Sequence, residues 1–377
     1  MKRKAILSTL ALLACGVAGA QSSSATLFGV IDAGVARLSA TGGAHATGLG
    51  SGGNGTSRLG FRGIEDLGGG FSAGFWLEGQ LNNDVGAGAT QNTGLDFARR
   101  ATVSLGGRFG ELRLGRDYVP TYLNMNQFDV WGQRGLGTVE TTGSSRGGVG
   151  SYTRSSNAIA YFLPADLGGL YGSVQYAFGE QLSNKAVIAN AAGLSNSAAN
   201  AATERTGNYH GGRIGYARGP FDVSASYGVF QDAVRNVGTA FYAGDYRIAN
   251  VGASFDAGVV KPMLLYQRER IDGRNAVADF GFETLALGAT APVGAGLWRA
   301  QVARYRQSNS RNDFDKYSVG YVHYLSKRTQ LYGDLARLRN KGTGTVALTN
   351  LSASVNAPAP TAGGSSTGYM LGVKHSF

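Results

Sequence analysis

Cysteine is all but absent from this sequence. The single one, Cys15, falls in a stretch that reads as a cleavable export signal: Lys2, Arg3 and Lys4, an apolar run from Ala5 to Ala14, then small residues ending Ala18-Gly19-Ala20. Cleavage after Ala20 leaves a mature chain of residues 21–377 with neither thiol nor disulfide chemistry. A competing reading takes Leu12-Leu13-Ala14-Cys15 as a lipoprotein box with an acylated Cys15. The small-residue site and the strand that starts soon after it favour cleavage at Ala20. Long apolar runs are missing as well. No segment after the signal holds the roughly 18 uninterrupted apolar residues of a membrane helix, which excludes a helical membrane protein but not a barrel, whose strands alternate.

Histidine is scarce, with His45, His210, His323 and His375 scattered along the chain. No Ser/His/Asp grouping and no His/Cys cluster results, so the expectation is no enzyme, no cofactor and no transition metal. Scattered loop aspartates leave calcium open. Runs of like charge are missing too. The formal charge of +11 falls to +8 without Lys2, Arg3 and Lys4, and the remaining bases are dispersed. Export and dispersal argue against nucleic acid, leaving anionic lipid or small anions as partners for that charge.

What is present is glycine, tyrosine and alternation: sixty glycines and eighteen tyrosines against only seven prolines. From Ala25 to Leu38, Leu27, Ile31, Ala33 and Val35 share one face and Asp32 the other. From Ser57, Leu59, Phe61 and Gly63 oppose Arg58 and Arg62. Phe75 and Leu77 oppose Glu78; Ala101, Val103 and Leu105 oppose Arg100; Leu112 and Leu114 oppose Arg113. Ile159 and Tyr161 set a phase that puts Arg154 on the polar face. Strict alternation means that the two faces meet different solvents, and a two-residue period makes each assignment all or none. By the same rule Arg99 belongs to the outward face with Phe97 and Ala101.

Seven short turn signals, near 65–70, 106–110, 163–169, 218–220, 255–258, 291–296 and 325–329, each join two strands. With a first strand and a last, from Thr367 to Phe377, the count is sixteen. Longer polar connections lie near 39–55, 83–95, 181–206, 232–242, 272–278 and 342–366, alternating with the short turns. Sorting of connections by length is the asymmetry of outer-membrane barrels. Sixteen antiparallel strands enclose an aqueous lumen rather than a packed core. One connection, Arg116 to Arg154, is far longer than ordinary loops and reads as neither strand nor helix. Its Tyr118, Tyr122, Phe128 and Trp131 argue for order and function.

Several blocks in order resemble the general porins of beta-proteobacteria: A-T-L-F-G-V-I-D-A-G-V at 25–35, S-R-L-G-F-R-G-I-E-D-L-G-G-G-F at 57–71, F-G-E-L-R-L-G-R at 109–116, Y-L-S-K-R-T-Q-L-Y at 324–332, and the final Phe377. The resemblance implies an outer-membrane, all-β, 16-stranded barrel whose long third external loop, here 117–148, folds into the lumen. It also implies a homotrimer set among outer-membrane lipid and lipopolysaccharide, with Phe377 matching the residue read by the assembly machinery. Arg58, Arg100, Arg154 and Glu78 match the family's constriction; Arg62, Arg113 and Asp32 join them on the wall. Asp117, Asp129, Arg134 and Glu140 are the loop charges, each turned to the pore or paired with the wall. Five wall arginines against two wall acids predict a channel that prefers small anions, since guanidinium groups do not deprotonate. Three other readings stay open: a porin specific for organic acids, phosphate or sugars, a barrel acting as an adhesin or receptor, and a soluble secreted β protein.

Overall fold

A computed structural model of the chain describes residues 24–88, 94–139, 153–180, 204–237, 240–273, 280–308, 310–348, 355 and 357–377. The expected export signal and Glu140 lie outside the described residues. The first strands are β1 (Ser24–Ala40), β2 (His45–Ser51), β3 (Arg58–Gly68), β4 (Phe71–Gln80), β5 (Arg100–Gly107) and β6 (Gly110–Tyr118). Helix α1 (Pro120–Phe128) comes next, before β7 (Arg154–Phe162), β8 (Leu170–Ala177), β9 (Tyr209–Arg218), β10 (Phe221–Val237) and β11 (Ala240–Phe255). The rest are β12 (Lys261–Gly273), β13 (Phe280–Val293), β14 (Gly296–Gln307), β15 (Phe314–Tyr324), β16 (Thr329–Asn340) and β17 (Ser365–Ser376).

All these strands form one antiparallel sheet, and it closes: β1 pairs with β17 along Val30↔Ser376 to Ala40↔Ser366. On its other side β1 meets two strands in succession, β3 along Ser24–Val30 and β2 along Ala33–Ser39. The two together make one stave with a break between Ser51 and Arg58, so the barrel has sixteen staves. Asp32 holds that break. Its carboxylate accepts from the Gly53 and Asn54 amides at 3.2 and 2.8 Å and from the Tyr332 hydroxyl at 2.7 Å. It is fully buried, so it serves as a brace and not as the wall charge expected of it. Phe377 completes closure through reciprocal backbone hydrogen bonds with Gly29, at 3.0 and 3.1 Å.

All seven short turns stand where the sequence puts them. Two of the expected long connections do not: 39–55 is largely the end of β1 and β2, and 232–242 is mostly the paired ends of β10 and β11. Residues 39–55 are mostly small and polar, and 232–242 follow a register shift between Phe230 and Ala233 that breaks the phase; cross-strand pairing, invisible in a single sequence, makes them strands. The faces agree with the expected phase. Leu27, Val35, Phe75, Val103 and Ile159 are exposed on the outside, while Ala36, Glu78, Ser173 and Asn250 are buried on the other face. So much exposed apolar surface around the whole sheet suits hydrocarbon, not water.

Helix α1 was not expected. Pro120 sits at its first turn after an extended Val119, where a missing amide costs nothing, and the segment's amphipathicity is weak. Periodicity therefore could not announce it. Packing supplies its stability, chiefly against β10 and β11, with β9 and β12 beside them.

Candidate functional site

Two tiers of arginine stand on β3 to β7. In the first, Glu78 on β4 accepts from Arg99 Nε at 2.6 Å, lies 3.7 Å from Arg58 Nε, and also accepts from Trp76 Nε1 at 3.2 Å. Arg99 reaches on to the Tyr118 hydroxyl at 2.9 Å. Arg154, opposite Tyr118 in the ladder, lays its guanidinium 4.2 Å from the centre of that ring and donates Nε to the Arg99 carbonyl at 2.7 Å. Tyr118 stacks in turn on Tyr122, centroids 5.0 Å apart. Two guanidiniums, Arg58 and Arg99, thus share one carboxylate, and Arg154 stands beside them on Tyr118.

The inclusion of Arg99 corrects the expectation that it faces outward. Strand β5 begins at Arg100, so Arg99 lies in the turn before it, where the two-residue period does not apply. Its side chain is only 7% exposed. A buried guanidinium requires a partner, and Glu78 supplies it.

The second tier has Arg62, Arg100 and Arg113. Arg62 and Arg100 lie against the Trp76 ring at 5.1 and 4.5 Å, the former also against Phe28 at 5.3 Å. Arg113 pairs with Glu111 at 2.8 Å and Asp117 at 2.5 Å, and Arg100 lies 3.6 Å from the same Asp117. Together with Trp76 they line a cavity of about 430 Å³. Asp117, expected in the loop, is a residue of β6 and neutralises Arg113; the loop proper starts at Val119. Arg62 has no ion-pair partner among the described residues.

The loop charges divide. Asp129 is buried and accepts from the Gln133 amide at 2.7 Å, Thr138 Oγ1 at 2.9 Å, and the Val139 and Trp131 amides at 3.3 and 3.4 Å. It ties the segment 129–139 into a knot and presents no charge to water. Burial pushes its carboxyl above the ordinary range, against the opposing pull of hydrogen bonds from Gln133, Thr138 and Trp131. Among the described residues Arg134 donates to the Gly132 carbonyl, at 2.8 Å, and lies within electrostatic reach of Arg58 and Lys374. Lys374 on β17 is not among the expected wall charges, although the phase of Tyr369, Leu371 and Val373 assigns it to the polar face.

The loop is seated by specific contacts. Asn124 donates to Asn250 Oδ1 at 2.7 Å, and Asn250 returns a bond to the Thr121 carbonyl at 3.0 Å. Gln127 donates to Asp222 at 2.6 Å and Tyr171 at 2.9 Å. Phe128 fills the space above Gly252, where a Cβ would lie 2.0 Å from its ring. Trp131 Nε1 donates to Asp334 at 3.1 Å, whose carboxylate holds Arg299 by two bonds of 2.9 Å. Lys316 Nζ reaches the Thr138 carbonyl at 2.6 Å. None of these seats was read from the sequence. The one available signal was glycine at inward positions such as Gly252 and Gly288, where the loop leaves no room for a side chain.

Residues 7–343 match the Gram-negative porin family. The chain is 39% identical over its whole length to outer membrane porin protein 32 of Delftia acidovorans, itself covered in full. It is 29% identical to an outer membrane porin protein of Bordetella pertussis, over 87% of this chain and 92% of that one. Among solved structures, the anion-selective porin from Comamonas acidovorans superposes with a TM-score of 0.80 at 38% identity, covering 94% of this chain and 100% of the other.

Proposed function

The chain belongs to the Gram-negative porins, and from that premise we propose that it forms a water-filled channel in the outer membrane for passive diffusion of small hydrophilic solutes, anions preferred. One observation carries the preference: the cations of the wall outnumber its free carboxylates. Glu78 is shared by Arg58 and Arg99, while Arg154, Arg62, Arg134 and Lys374 have no ion-pair partner among the described residues. In a narrow passage with low-dielectric walls such a field attracts anions and repels cations. The solved relative that is named anion-selective supports the same reading.

We read residues 119–139, with the segment that follows, as the loop that narrows the lumen. Its contacts support this, since Asn250, Gly252, Asp334 and Lys316 all alternate with outward-facing residues. The constriction then lies between Arg134 on the loop and Arg58, Arg99, Arg154 and Lys374 on the wall. Residues 1–20 act as the export signal, three barrels associate, Phe377 is read during assembly, and lipopolysaccharide surrounds the barrel. Solutes cross unchanged. The test is the reversal potential of purified protein in a planar bilayer under a salt gradient; a cation-selective sign refutes the preference.

A further inference from the structure

A cavity of about 430 Å³ lies apart from both arginine tiers, between α1 and the wall of β7, β8 and β9, beside the short turn 163–169. The ladder sets three of its side chains in one row: Phe162 on β7 stands opposite Ser173 on β8, and Ser173 opposite Arg213 on β9. Leu123 of α1 lines the loop side and Pro164 the turn side. Gly215 gives Tyr171 its place, since a Cβ at that position would run into the ring. Arg113 lies 4.2 Å from the centre of the Phe162 ring, so the cavity borders the second tier.

Two buried polar atoms of that row stand unused. Arg213 donates through Nη2 to Gln127 of α1 and lays its guanidinium 4.9 Å from the centre of the Tyr171 ring. Its Nε is buried and has no hydrogen-bond partner among the described residues. Nor has the hydroxyl of Ser173, a residue only 5% exposed. Buried donors are nearly always paired, and each one left over calls for an explanation. Arg213 also has no ion-pair partner among the described residues. Asp222 stands behind Tyr171, where it is held by the Tyr171 hydroxyl at 2.7 Å and by Gln127 at 2.6 Å.

We propose that this cavity is a binding site for an amphiphilic monoanion, an aromatic monocarboxylate, with its carboxylate on Arg213 Nε and Ser173 Oγ and its ring against Leu123 and Phe162. One guanidinium balances one negative charge, and both orphaned donors gain an acceptor. An inorganic dianion would leave a charge unmatched and the apolar wall unused. A neutral apolar molecule would leave both donors as they are, at the full cost of their burial. The inference rests on the channel reading for the supply of solute to the lumen.

Purified protein in detergent is titrated with para-fluorobenzoate, binding being read from the broadening of the fluorine NMR line. Arg213→Gln should weaken binding about tenfold or more, and Ser173→Ala about fivefold. Arg154→Gln, which removes the same charge from the first tier, should leave the affinity within about twofold. The uncharged isostere para-fluorobenzamide, and fluoroacetate, which has the charge without the ring, should each bind about tenfold more weakly than the benzoate. Undiminished binding in Arg213→Gln, an equal loss in Arg154→Gln, or equal binding of the amide or of fluoroacetate overturns the proposal. Where Arg213→Gln also speeds protease cutting of 119–139, Ser173→Ala decides, because the Ser173 hydroxyl holds nothing in place among the described residues; wild-type affinity there overturns the proposal. Bilayer conductance tests the channel separately. A protein that binds the benzoate through Arg213 without conducting refutes the channel and keeps the site; one that conducts without binding it refutes the site alone.

Discussion

Arg99 and Glu78 meet at 2.6 Å although strict alternation assigns them to opposite faces of the sheet. The contact makes Glu78 a stabilising residue first and a pore charge second. Truncating one partner of a buried pair leaves the other charge uncompensated, at a cost of about 3 to 5 kcal/mol. Glu78→Gln should therefore lower the thermal unfolding midpoint in detergent while raising anion selectivity. A variant with wild-type stability would remove Arg99 from the buried cluster.

Removing charge from the other side should have the reverse effect on selectivity. A unit charge about 7 Å from a permeating ion contributes roughly 0.6 kcal/mol even at the dielectric of water, about a threefold change in preference per charge. Alanine at Arg58, Arg100 and Arg154 together should lower the anion-to-cation permeability ratio by about tenfold or more, read from reversal potentials. Arg100, paired with Asp117 and set in the second tier, should account for the smallest share when the three are replaced singly.

Gly252→Val tests the seat of the loop. The new Cβ would fall 2.0 Å from the Phe128 ring, so α1 must leave the wall. The barrel's own ladder is untouched there. We expect an intact barrel whose segment 119–139 is cut faster by protease and whose single-channel current is noisier; unchanged digestion would place Phe128 elsewhere.

The Arg299–Asp334 pair tests whether charge or shape holds Trp131. Asp334→Asn should destabilise by about 3 to 5 kcal/mol, because Arg299 is only 6% exposed and loses its counter-charge. Replacing both by apolar residues of similar size should recover much of that loss. Denaturant midpoints of the single and double variants decide between the two outcomes.

The architecture was legible because a barrel in a membrane repeats one rule along every stave. Leu27, Val103 and Ile159 obey it, and so do the wall arginines Arg58, Arg62, Arg100 and Arg113. Legibility ended where the rule ends. Arg99 stands one residue before its strand, Asp32 turns its carboxylate into a chain break, and Asp129 closes on its own loop. Helix α1 is held by partners about a hundred residues away, such as Ser224 and Asn250, which no local pattern names.

Closure of the sheet between β1 and β17 also fixes when the barrel can exist. The bonds joining Gly29 to Phe377, and Asp32 to Tyr332, span some three hundred residues. Until the last stave arrives, β1 offers an open edge from Val30 to Ala40, able to pair with any other extended chain. The entropy of joining such distant segments is lost in a single late event. Shortening the chain at Phe377 would thus leave every internal ladder in place and still impair the final seam.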